Sequence, residues 1–213
     1  MVGKKAQQTR QRILSCSLDL FNLQGESSIT TNAIAEELDI SPGNLHYHFQ
    51  RKADIVTSLF EEFCDKMHAT LELAPDGGFD LEGFWWFQHL LFDTIGHYRF
   101  VFRDVNTLLE RYPQLQKNFD KLMQQERVVA AKLLLALREQ DILILNDHQM
   151  STLVESLVVT LTYWLSFRRQ SRKSLEMEAE DITEGIYQMI SLVAPWMREP
   201  ERSQTLAHAE LYK

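Results

Sequence analysis

Apolar residues recur every three to four positions along most of this chain, and the alternating runs that strands need are nearly absent. Leu14, Leu18 and Phe21 lie on one such stripe, which Gln24-Gly25 ends. Val56, Leu59, Phe60, Phe63, Met67 and Leu71 form a longer one, running to Pro75-Asp76-Gly77-Gly78, the strongest break in the sequence. Others follow at Leu115, Phe119, Leu122, Val129 and Leu133, at Leu153, Leu157, Leu161 and Trp164, and at Ile182, Ile186, Met189, Val193 and Met197. Only 141–145 reads as extended. The pattern predicts an all-α protein of about nine helices. They fall near 6–24, 31–38, 42–49, 52–73, 80–96, 98–110, 113–140, 147–171 and 176–197. Residues 198–213 are polar, carry no stripe and are expected to form a flexible tail.

The break divides the chain. Residues 1–51 hold three short helices and read as a head, 52–74 as a connecting helix, and 75–197 as a helical body with its own core. With 45% hydrophobic residues the chain can bury that core. The longest apolar run, 153–165, is interrupted by Glu155, Ser156 and Thr160, so no membrane span is expected. The N-terminus is rich in Lys and Gln and lacks the apolar stretch of a signal peptide. Cys16 and Cys64 build no disulfide framework, which suits a reducing cytoplasm. The net charge of −8 argues at first against nucleic acid. The surplus is local, however. In 1–55, Lys4, Lys5, Arg10, Arg12, Arg51 and Lys52 balance Asp19, Glu26, Glu36, Glu37, Asp39 and Asp54, and all the excess acid lies beyond. An acidic body behind a neutral head with a basic tip is compatible with DNA.

The most informative stretch is 30–49, followed by Lys52. Thr30-Thr31 supplies an N-cap, and Ile34, Ala35 and Leu38 give the first short helix an apolar face. Asp39 sits where the turn needs positive φ, which Asp tolerates. Ser41 caps a second helix and Pro42 takes its first position, where a missing N–H costs nothing. Leu45 and Phe49 dock that helix. Gly43, Asn44, His46, Tyr47 and His48 are left facing outward. A glycine near a helix N-terminus admits phosphate, Asn reads adenine edges, and Tyr and His meet phosphates or thymine methyls. A helical hairpin with a polar face would look the same on spacing alone.

The segment resembles the TetR-family signature. That signature has a Thr-capped helix with Ile-Ala, a turn ending in Ser, Gly-x-Leu-Tyr-x-His/Tyr-Phe, and a Lys three residues on. Here it reads Ile34-Ala35, Ser41, Gly43-Asn44-Leu45-His46-Tyr47-His48-Phe49 and Lys52. The resemblance implies an N-terminal helix-turn-helix, a C-terminal ligand-binding and dimerisation bundle, and a homodimeric repressor of operator DNA answering to a small effector. It implies DNA contacts from Thr31, Asn32, Ser41, Gly43, Asn44, His46, Tyr47, His48 and Lys52. Two positions depart from it: Asp39 stands where the family has Gly, and His46 where it has an aromatic. A charged His46 would make operator affinity fall between about pH 6 and 8.

The resemblance also implies dimerisation through the last two long helices, with Leu157, Leu161, Trp164, Ile186, Ile190 and Val193 as the candidate face. The same stripes would equally serve the chain's own core. Nine of the 22 aromatics lie in 79–102. They suit either a core or the wall of a pocket for a mostly apolar ligand. The pocket candidates are Trp86, Phe87, Tyr98, Phe102, Arg103, Asn106 and Tyr163, with Arg99 and Asp104 as further polar groups. His89, Asp93 and His97, and Cys64 with His68, have spacings that can hold a metal. Without a nucleophile–base pair or a Gly-rich phosphate loop, no catalytic residue, metal or cofactor is expected. A regulator answering to a protein partner is the other alternative.

Overall fold

The computed structural model describes residues 2–74, 80–103, 105–171 and 179–212. The expected break at Pro75–Gly78, Asp104, and the start of the helix expected over 176–197 lie outside the described residues. Eleven α-helical segments and no strand occur among those described. They are α1 (Val2–Gln24), α2 (Thr31–Glu37), α3 (Pro42–His48), α4 (Lys52–Glu72), α5 (Leu81–His97), α6 (Arg99–Arg103), α7 (Val105–Arg111), α8 (Gln116–Glu139), α9 (Asp147–Ser171), α10 (Ala179–Val193) and α11 (Glu201–Ala209).

Local chemistry sets the ends. Gly25 stops α1 at φ 86°, its N–H bonded to the Phe21 carbonyl at 2.9 Å. Asp54 closes the start of α4 by accepting from the Arg51 N–H at 2.9 Å. Asp80 caps α5, accepting from the Gly83 N–H at 2.8 Å. The helix expected to reach residue 197 stops at Val193, because Pro195 has no N–H to continue it, and a 3₁₀ turn follows at Ala194–Trp196. The extended 141–145 segment lies beside it. Leu143 bridges Met197, and the Ile144 N–H bonds the Trp196 carbonyl at 2.8 Å.

The C-terminal tail is a correction to the sequence reading. Residues 201–209 form α11 and a 3₁₀ turn follows at Glu210–Tyr212. Thr205, Ala209 and Tyr212, spaced i, i+4, i+7, are buried. His208 stacks on Trp85 of α5 with centroids 4.1 Å apart, and the Tyr212 hydroxyl bonds both His89 and His208. The stripe was present, but two of its members are a threonine and an alanine, too small and polar to register.

Head and body share one continuous core. α4 packs on α1, α5 and α8; α9 lies between α8 and α10; α6 touches both α1 and α9. Phe21, Phe60, Phe63, Phe84, Phe87, Phe92 and Phe102 are fully buried. α10 comes close enough to α5 and α9 that a Cβ on Gly185 would collide with Phe92 and Trp164. α9 is apolar enough by length and composition to cross a bilayer, at a mean hydropathy of 1.2. Leu153, Leu157, Leu161 and Leu165 spend that apolarity inside the bundle.

Candidate DNA interface and the cavity behind it

The Thr30 side chain accepts from the Ala33 N–H, and that of Ser41 from the Asn44 N–H, each at 3.1 Å. The turn between them places Asp39 at φ 52°. Ile34, Ala35, Leu45 and Phe49 are buried, fixing α3 against α2 and α1. Asn32, Ser41, Gly43, Asn44, His46 and Tyr47 are exposed, and Thr31 and His48 half-buried. Thr31, Asn32, Gly43 and His46 border one open groove between α2 and α3. Tyr47 projects furthest at 79% exposure, with His48 edge-on to its ring. An aromatic that exposed gains nothing from the fold and is available to a groove or a phosphate.

Lys52 goes elsewhere. Its amine pairs with the Glu26 carboxylate at 2.7 Å and bonds the Glu26 carbonyl, so it is turned inward rather than left facing a phosphate. Glu26 is 8% exposed and also receives Arg111 at 2.7 Å and the Tyr112 hydroxyl at 2.6 Å. Burial, then the hydrogen bond to Glu26, raises the Tyr112 pKa. One turn earlier, Asn22 donates to the His97 carbonyl at 2.9 Å and accepts from the Phe100 N–H at 3.0 Å. Arg103 adds a bond to the Leu23 carbonyl at 3.4 Å. The end of α1 is therefore fastened by polar groups to the start of α4 and to α5–α7.

The pocket set expected from sequence does not converge. Trp86 is 54% exposed. Tyr98 and Phe102 are buried against Phe63, Arg103 lies under Gly25, and Asn106 with Tyr163 borders a separate open groove. Only Phe87 lines the apolar space in the body, a tight cavity of about 30 Å³ among α4, α5, α8, α9 and α10. Sequence periodicity ranked these residues by size and could not say which way a ring points.

Leu71, Phe87, Leu91, Leu133, Leu161 and Met189 wall this cavity with hydrocarbon. Gln88 and Glu126 break it. Both are 3% exposed, and neither Glu126 carboxylate oxygen nor Gln88 Oε1 has a partner among the described residues. Burial raises the Glu126 carboxyl to about 8, and Arg127, turned outward onto Glu155 at 2.9 Å, offsets this only weakly. Sequence reasoning missed both residues. The signal existed: Glu126 continues the Leu122, Val129, Leu133 stripe, and Gln88 sits between Phe84 and Leu91 at helical spacing.

The expected dimer face also needs correction. Leu157, Leu161, Ile186, Ile190 and Val193 are buried in the chain's own bundle, and Trp164 is half-buried with its indole N–H on the Asp181 carbonyl at 2.7 Å. The opposite face of α9 carries Val159, Tyr163 and Phe167 at 55%, 38% and 59% exposure. The metal candidates scatter as well. His89 bonds Tyr212, His68 bonds Gln125, His97 stands edge-on to Tyr98, and burial pushes the Cys64 thiol up to about 12.

Two family models cover nearly the whole chain: the tetR family of bacterial regulatory proteins over residues 13–59, and the TetR-type bacterial transcriptional repressor over 62–205. The chain belongs to the TetR family. It resembles a TetR-family transcriptional regulator from Marinobacter aquaeolei VT8, 31% identical, with 96% of this chain and 98% of that one superposing at a TM-score of 0.85. CprB from Streptomyces coelicolor, solved with its operator, shares the fold at 18% identity and a TM-score of 0.68 over 97% of each chain. In sequence the chain is 38% identical over 58 residues to the transcriptional regulator AcrR of Shigella flexneri, a match spanning 27% of each. The chain spans less than half the length of the curated relatives it matches first. Members of this family are DNA-binding transcription regulators, and this chain is one.

Proposed function

We propose that the protein is a homodimeric repressor that holds a near-palindromic operator through α3 of each head and lets go when a small effector enters the body cavity. It works in the cytoplasm, where the chromosome is, and as a regulator rather than an enzyme. The observation that carries this reading is the course of α4. Its first residue, Lys52, is locked to the turn behind α2 and α3, and Leu71, in its last turn, lines the cavity. A ligand that presses on one end of a rigid helix tilts the other, provided it binds one arrangement better. The Glu26 and Asn22 bonds carry any shift of α5–α7 into the same head. Two heads reach half-sites about one helical turn apart only as a dimer. The Val159, Tyr163 and Phe167 stripe on α9 is the face we assign to it.

The test is capture of sheared host genomic DNA by the purified full chain, followed by footprinting of the strongest fragment. Protection of a near-palindrome beside a promoter supports the reading. No enrichment over bulk DNA at low or moderate salt overturns it.

A further inference from the structure

The family reading leaves the effector's chemistry open, and the cavity narrows it. At about 30 Å³ the space is closed down around its lining, so a ligand enters it by parting the apolar side chains, which favour a hydrocarbon body. What hydrocarbon does not explain is Glu126. A carboxyl group 3% exposed, with neither oxygen partnered among the described residues, forfeits hydration without replacement, and no other described carboxyl is left so. Gln88 Oε1, in the same wall, is a second acceptor without a donor. The site presents three acceptor oxygens and no cation. Arg127, the charge nearest on the same helix, is spent on Glu155 at the surface. Across from it on α4 stands Cys64, a neutral thiol. The α9 and α10 walls contribute Leu157, Leu161 and Met189, none of which titrates.

We propose that the cavity binds a small lipophilic amine as its ammonium ion, the apolar body against Phe87, Leu91 and Leu133 and the nitrogen against Glu126, with Gln88 Oε1 taking a second N–H. This rests on the effector reading above and specifies it. A ligand with only acceptors takes the single O–H of the protonated carboxyl and leaves the other two oxygens without a donor. An ammonium satisfies them and supplies the charge that the protein withholds. Because burial keeps the empty site's carboxyl protonated at neutral pH, seating a cation expels that proton to solvent. Ammonium affinity therefore rises about tenfold per pH unit from roughly pH 6 to 8 and levels off above.

The experiment is calorimetric titration of the full-length protein with phenylbutylamine, phenylbutanol and phenylbutyrate, using wild type and Glu126→Gln, at about pH 6, 7 and 8. The substitution keeps the shape and removes a buried charge, so folding is expected to survive; circular dichroism checks this. The expected result is that wild type prefers the amine to the alcohol by at least about tenfold, that the preference grows with pH, and that Glu126→Gln abolishes it while still taking the alcohol. Equal binding of amine and alcohol overturns the proposal, as does an unchanged preference in the variant or no binding of any probe. Operator release is measured separately. Amine-selective binding that leaves the operator held keeps this inference and sinks the effector reading. Alcohol that binds and releases operator, without an amine preference, does the reverse.

Discussion

Glu26 and Glu126 lie a hundred residues apart, one at the seam between head and body and the other in the middle of the bundle. Each is buried, at 8% and 3% exposure. Glu26 is met by Lys52, Arg111 and Tyr112, all within 2.7 Å. Glu126 is met by none among the described residues. A buried carboxylate with its partners in place holds two parts of a protein in one arrangement. One without them sits protonated, and nothing ties it to a neighbouring element. The contrast separates the joint of this regulator from the cavity proposed as its sensor.

Removing a partnered charge should do the most damage. Glu26→Ala leaves Lys52 and Arg111 facing an empty seam, and we expect a loss of about 3 kcal/mol, moderated because Arg111 is 42% exposed. Urea unfolding measures it, and a loss below about 1 kcal/mol would erase the distinction from Glu126.

Glu126 should behave in the opposite sense. Its folded pKa is raised above the unfolded value, so the folded state holds a proton that the unfolded state releases between roughly pH 4.5 and 8. Stability is full below that window and falls as pH rises through it. Relative to Glu126→Gln, wild type should lose about 3 kcal/mol between pH 5.5 and 8 and change little above. Urea titrations of both proteins at the two pH values decide this, and parallel profiles would mean that the carboxyl is hydrated after all.

Tyr47→Ala isolates DNA contact from both. The ring is 79% exposed, so unfolding should be unmoved, while operator affinity drops about tenfold, or roughly 1.4 kcal/mol, in a gel-shift titration. A stability loss as large as the binding loss would assign Tyr47 to the fold. The smallest effect belongs to the C-terminal clasp. Burial and the neighbouring His89 lower the His208 pKa, so its contribution is full above the ordinary histidine range and is lost as pH falls below it. Amide exchange should accelerate in α11 at about pH 5.5 with little change in global unfolding, and His208→Gln should flatten that response.

Helix content was legible because period and capping are local. Thr30, Ser41, Pro42 and Gly25 announce their roles to neighbours three or four residues away, and the structure places each as a cap, a first turn or a stop. The outward face of α3 was legible for the same reason: with Leu45 and Phe49 committed to the core, helical geometry leaves Asn44, His46 and Tyr47 outside. The destination of Lys52 was not, since its partner Glu26 lies in another turn of the chain and reaches it only after α1 and α4 pack. Nor was the choice of pocket residues, because Trp86 and Phe87 are adjacent in sequence, yet about 100° of helical turn puts one in solvent and the other in the cavity wall.

By itself, then, the sequence determined the helices up to α10, the caps of the head, the family and the exposed face of α3, since each depends on spacing within one element. The tertiary structure alone decided which apolar stripe served the chain's own core and which side of α9 stayed open. It also joined Glu26 to three partners and left Glu126 with none among the described residues. Those outcomes depend on the distance between helices far apart in the chain, and a one-dimensional pattern carries no such distance.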